Sequence, residues 1–239
     1  MVVMLKQAPT YLPTPFKGKH VRLPSTDAQA DYFYRRKFLL VNGSHTTLAF
    51  LTLCLRQPSP KATAETYTEP GDHELINWDN CEEAQHREIW AWAVARLLIL
   101  LFEFDTQVLL EAHGVATEDE LCDALLDYAK EVLGRFSSTT DMTSRVLQGG
   151  VANRWETRLR PVAKFLRPRS EETLRPIKVK LLEKAGLTLP YIKEVTQRLV
   201  LEAERFTGLK PLSSQVQAQQ QAAAAAAAAA AAQQRKVGA

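Results

Sequence analysis

Three polar side chains able to do chemistry stand inside one apolar run of the 239-residue chain: Lys37, Asn42 and His45. Phe38, Leu39, Leu40 and Val41 lie between the first two, and Leu48, Ala49, Phe50 and Leu51 follow the third. Folded as a helix, such a run is apolar on every side, the pattern of a buried helix. At about 100° per residue, Asn42 falls about 140° and His45 about 80° round from Lys37. The three then share one side, with His45 in the middle. An amine, an amide and an imidazole on a buried helix are costly unless partners satisfy them. One chemistry that would use them is the oxidation of a secondary alcohol. The hydroxyl proton needs a base, and a lysine serves only where burial or a nearby cation favours its neutral form. The amide and imidazole would hydrogen-bond the oxygen that gains charge in the reverse, carbonyl-reducing direction. Each residue also has a plain structural reading: a snorkelling lysine, a capping asparagine, a satisfied core histidine.

The stretch Lys37-Phe38-Leu39-Leu40-Val41-Asn42-Gly43-Ser44-His45-Thr46 resembles the signature of the polyol-specific long-chain dehydrogenases, the mannitol dehydrogenase and fructuronate and tagaturonate reductase family. The resemblance implies that Lys37 is the general acid/base and that Asn42 and His45 hold the reacting oxygen. A second stretch adds to it: Arg135-Phe136, then Asp141 to Leu147, Gly149-Gly150 and Asn153-Arg154-Trp155. There Arg145 matches a substrate-contacting arginine of the family, and Asn153, or Arg154 with one inserted residue, falls where the family has a lysine. Tyr34 stands where many members have a glutamate. The implied fold is the all-α, multi-helix C-terminal domain of that family. The implied activity is NAD- or NADP-dependent interconversion of a sugar alcohol or aldonate with the corresponding ketose or keto-uronate. No G-x-G-x-x-G occurs among the 10 glycines, so the resemblance covers the catalytic half alone. The chain by itself is expected to be inactive, with a Rossmann domain in cis or in trans holding the dinucleotide. The alternative is a catalytically silent remnant that serves as a helical binding or scaffold protein.

The positioning elements follow from punctuation. Residues 27–56 read as the motif helix, in two pieces around Gly43, and Pro58 and Pro60 end it. Residues 57–82 read as a polar loop with a Pro70-Gly71-Asp72 turn. Residues 82–112 read as one long apolar helix, stopped at Gly114. Thr117 and Glu120 form a capping box for a helix that Gly134 closes. Residues 155–166 form an amphipathic helix, residues 176–185 a short one ended by Gly186, and residues 189–206 the last. About seven helices are expected. Residues 1–24 read as a linker, residues 25–210 as the helical catalytic domain, and residues 211–239 as a Gln- and Ala-rich tail.

Composition narrows the classes. With 24% charged residues and a net charge of +3, the basic character is too slight for a nucleic-acid partner. Cys54, Cys81 and Cys122 are odd in number and far apart, which reads as reduced thiols in a cytoplasmic protein. No ligand spacing suggests a metal. Residues 1–10 lack the pattern of a signal peptide. The apolar run 89–104 is interrupted by Arg96 and Glu103 and is shorter than the roughly 20 residues of a membrane span, so it reads as a core helix and no membrane partner is expected.

Overall fold

The computed structural model describes residues 24–56, 72–138 and 140–207, with side chains to residue 204. The linker up to residue 23, residues 57–71 of the polar loop and the Gln/Ala-rich tail lie outside the described residues. The fold is an all-α multi-helix bundle, as expected. Ten α-helical segments occur among the described residues, and the extended pairing is one antiparallel bridge, Glu74 with Met142.

The motif helix starts where the Thr26 side chain accepts a hydrogen bond from the Gln29 N–H (3.2 Å), so an orphan donor of the first turn is capped. It runs unbroken over Asp27–Arg56, but not as two pieces around Gly43. Helix α1 (Asp27–Arg36) passes into a π-helical turn, Lys37–Asn42, and then into α2 (Gly43–Arg56). The Gly43 N–H bonds to the Phe38 carbonyl, the five-residue closure of a π-turn. Gly43 has an ordinary helical φ of −69°. By length and composition this stretch could span a membrane, yet 67% of its most apolar window is buried inside the fold. It packs against α3, α6 and α10 as a core element.

Helix α3 (Glu83–Glu103) is the centre of the bundle, touching α1, α2, α5, α8, α9 and α10. From Ala91 to Leu101 its residues are buried on every side, which is why it carries no polar face. The expected single helix over 82–112 is two. The Asp105 side chain accepts from the Gln107 N–H at 2.8 Å and starts α4 (Thr106–His113), so the break leaves that amide satisfied. Gly114 ends α4 in the left-handed conformation at φ 67°.

The Thr117–Glu120 capping box starts α5 (Glu118–Ser137). Gly134 does not stop it; the helix continues to Ser137, so Arg135 and Phe136 belong to its last turn rather than opening a new segment. After α6 (Thr143–Val146) and a turn through Gly149 and Gly150, α7 (Val151–Arg154) leads into a second π-turn, Trp155–Leu159, and then α8 (Arg160–Leu166). The expected helix over 155–166 thus begins earlier and is wider in its middle. Pro161 gives the reason. Its ring has no N–H and crowds the carbonyl four residues back, and the Arg160 N–H closes instead on Trp155, five back. Helix α9 (Pro176–Ala185) has proline at its first position and Gly186 in the left-handed conformation after its end, as expected. Helix α10 (Leu189–Thr207) packs along α3.

Candidate functional site

Lys37 and Asn42 occupy the two ends of the first π-turn, and His45 sits in the first turn of α2. The wider turn changes the geometry expected of an α-helix. The π-turn closes five residues back rather than four, so Asn42 lies nearer to Lys37 round the helix than the α-helical spacing predicts. All three are half-buried. Among the described residues the Lys37 amine makes no ion pair.

His45 is where the two stretches meet. Its ring lies flat on Phe136, with centroids 4.3 Å apart and planes at 10°. Its Nε2 stands 2.7 Å from Asp141 Oδ2. That is ion-pair distance, though the angle leaves Nε2 without an aligned acceptor. Asp141 is buried, and Arg145 grips both its carboxylate oxygens through Nε and Nη2. The Met142 N–H also donates to Asp141 Oδ1 at 2.8 Å. The Arg145 guanidinium and these donors hold the Asp141 carboxyl below the usual carboxylate range. Burial pushes the His45 imidazole down, against the opposing pull of Asp141, with Arg145 and Arg158 adding to the downward push. His45 is therefore a neutral ring at neutral pH, able to donate or accept one hydrogen bond rather than to act as a cation.

The segment 72–76 fixes Asp141 from the other side. The Leu75 N–H bonds to the Asp141 carbonyl (2.9 Å), the Thr143 N–H bonds to the His73 carbonyl (2.8 Å), and the Ile76 N–H bonds to Thr52 Oγ1 on α2 (2.9 Å). This ties the carboxylate to the helix that carries His45.

Of the residues expected near the far end of a substrate, Arg145 joins His45 and the other two do not. Asn153 is exposed on α7, and its carbonyl accepts from Thr157 Oγ1 at 2.6 Å. Arg154 folds back to donate to the Gln148 carbonyl at 2.7 Å. The arginine of this region that reaches the motif is Arg158, on the second π-turn. Its Nη1 lies 3.4 Å from the Asn42 carbonyl and 3.5 Å from Thr46 Oγ1. Neither Asp141 nor Arg158 is given a role at this site by the sequence alone. The four-residue spacing of Asp141 and Arg145 is a helical ion-pair signal that could have flagged the first. Nothing local marks Arg158.

No group of three or more His, Cys, Asp or Glu among the described residues is arranged to hold a metal ion. A dinucleotide fits poorly: the positive-φ turn Gly149–Gly150 precedes only the four-residue α7, and no strand leads into it. Comparison with protein-family models, with curated proteins and with solved structures returns no match for this chain.

Proposed function

We propose that this chain is the substrate-binding and catalytic part of an NAD(P)-dependent oxidoreductase that interconverts a sugar alcohol or aldonate with its ketose or keto-uronate. One observation supports the reading above the others. His45 of the first motif gathers Phe136, Asp141 and Arg145 of the second, two stretches far apart in sequence that the same family resemblance picks out. A buried carboxylate that orients a histidine, beside a lysine and an amide on a π-turn, suits a group that must hold and deprotonate a hydroxyl.

In this reading the Lys37 amine takes the hydroxyl proton, and Asn42 and His45 fix the oxygen. Asp141 sets the ring of His45, and Arg145 keeps Asp141 ionised. Arg145, 70% exposed at its side chain, also has donors left for a distal hydroxyl or carboxylate. The nicotinamide, when bound, supplies or accepts the hydride, and a dinucleotide-binding domain outside the described residues would hold it.

The test uses the native protein purified from its own cells, assayed on polyols and uronates with both nicotinamides. Lys37→Ala is expected to lower turnover by roughly 10²- to 10⁴-fold, the range of a lost general base. Undiminished turnover in that variant, or no nicotinamide-dependent turnover of any polyol or uronate by the unmodified protein, overturns the reading.

A further inference from the structure

On the side of α2 away from His45 lies a cavity of about 140 Å³, walled by α1, the two π-turns, α3 and α8. Gly43 lines it, and at about 100° per residue Gly43 points roughly 160° away from His45. Three arginines, Arg35, Arg96 and Arg158, and one carboxylate, Glu103, reach its wall. Glu103 is already taken. Arg35 grips it at both oxygens, at 2.7 and 2.6 Å.

The other two cations have no counter-ion among the described residues. Arg96 is fully buried. Its Nη1 donates to the Trp92 carbonyl (3.1 Å), its Nη2 to the Gly43 carbonyl (2.9 Å) and Thr47 Oγ1 (2.6 Å), and its Nε has no partner. A guanidinium with neutral acceptors alone is an exception to the rule that buried charges are paired. Burial pushes its pKa down to about 9, still charged at neutral pH. Arg158 is half-buried, its hydrogen bonds are the two long ones to Asn42 and Thr46, and burial and Arg154 push its pKa down as well.

The rest of the wall is apolar. Phe38 sits under both Arg35 and Arg158, with guanidinium carbons 5.8 and 5.6 Å from its ring centroid, and Phe165 lines the same space. A cavity of about 150 Å³ accommodates a benzene-sized body. Two uncompensated guanidiniums favour an anion, and a planar one suits the paired N–H groups of Arg158, while Arg96, with both Nη2 protons engaged, offers its unpartnered Nε–H. A fully hydrated dianion would lose its water against the phenyl rings.

We propose that this cavity is a binding site for a small carboxylate with a compact apolar body, of about the size of benzoate, held by Arg158 and Arg96 over Phe38 and Phe165. The site is separate from the His45 side and does not depend on the oxidoreductase reading.

The test is titration of the full chain with benzoate, benzyl alcohol and inorganic phosphate, followed by calorimetry and by amide chemical shifts. Benzoate is expected to saturate one site and to shift the amides of Gly43, Ile99 and Val162. Benzyl alcohol should bind roughly tenfold or more weakly, the loss of a charged hydrogen-bonding partner. Arg158→Leu should cost a similar factor, and its partial exposure keeps the fold as the unmodified chain's, checked by circular dichroism. Arg96→Met should abolish binding if it folds. Equal binding of benzoate and benzyl alcohol, benzoate binding indifferent to Arg158→Leu, tighter phosphate than benzoate, or no saturation by benzoate each overturns the proposal.

Discussion

Replacing Gly43 by alanine tests the tightest contact in the bundle. The glycine's φ is helical, so the backbone itself would accept any residue. What it cannot accept is volume. A Cβ at Gly43 would lie 2.5 Å from Arg96 Nε and 3.1 Å from both Cδ and Cζ. Arg96 must move, and with it go its bonds to the Gly43 carbonyl and Thr47. Each hydrogen bond to a charged group is worth about 1.5–3 kcal/mol, and overpacking adds about 1–3 kcal/mol. Two effects subtract: alanine gains about 0.5–1 kcal/mol over glycine in a helix, and the adjoining cavity gives the guanidinium room to swing. The net expectation is a loss of about 2–4 kcal/mol, read as a lower urea midpoint with unchanged slope. The decisive comparison is a double-mutant cycle with Arg96→Ala. In that background the obstacle is gone, and Gly43→Ala should be neutral or stabilising. A Gly43→Ala chain as stable as the parent, or a cost that persists without the Arg96 side chain, would refute the close-approach argument.

Two other glycines should answer alanine in opposite ways. At Gly134, inside α5 with nothing within 4 Å of an added Cβ, Gly134→Ala should stabilise by about 0.5–1 kcal/mol in urea unfolding. At Gly186, where φ is 68°, Gly186→Ala should destabilise by about 1–2 kcal/mol although space is equally free, and equal effects at the two sites would defeat the reasoning. Acid should weaken the fold through His45. Its pKa is below the unfolded value of about 6.5, so the unfolded chain binds the proton first and stability falls as pH drops below that value toward the folded pKa. His45→Gln should flatten that part of the pH–stability curve, and an unchanged curve would count against the burial of the ring. Asp141, held low by Arg145, adds stability at neutral pH that is lost at lower pH, as it falls through the folded pKa. Asp141→Asn should remove this second limb and drive the His45 titration, followed by NMR, still lower.

How far the sequence reveals this molecule depends on how local each cause is. Thr117 with Glu120, and Pro176 with Gly186, carry their reasons within a few residues, and those helix ends come out where expected. The break at Asp105 is just as local, but a single capping aspartate is easily overlooked in a long apolar run. Gly43 and Gly134 read as stops because glycine is a weak helix former. Gly43 instead answers a side chain on another helix, and Gly134 answers nothing at all. The π-turns are invisible in the pattern, since the same apolar residues suit an α-helix; only Pro161 hints at the second. The trio of Lys37, Asn42 and His45 is legible as spacing. The carboxylate that meets His45 comes from across the fold, and so does the pairing of Arg96 with Gly43, and no spacing within a segment encodes either.

The two sides of α2 are chemically unlike, yet one residue reaches both. Toward His45, the charge of Asp141 is met by Arg145. Toward Gly43, two guanidiniums stand uncompensated and suit an anion. Arg158 lines the cavity, touches the Asn42 carbonyl on the motif turn, and contributes to the low pKa of His45. An anion seated on Arg158 should therefore cancel part of that push. Saturating benzoate is expected to raise the His45 titration midpoint in the parent chain, and Arg158→Leu to raise it without ligand and to abolish the further response. Arg145→Ala, which alters only the His45 side, should leave benzoate affinity as it was. If benzoate binds with full affinity while the His45 titration stays still, the two sides are electrostatically isolated, and Arg158 serves the cavity alone.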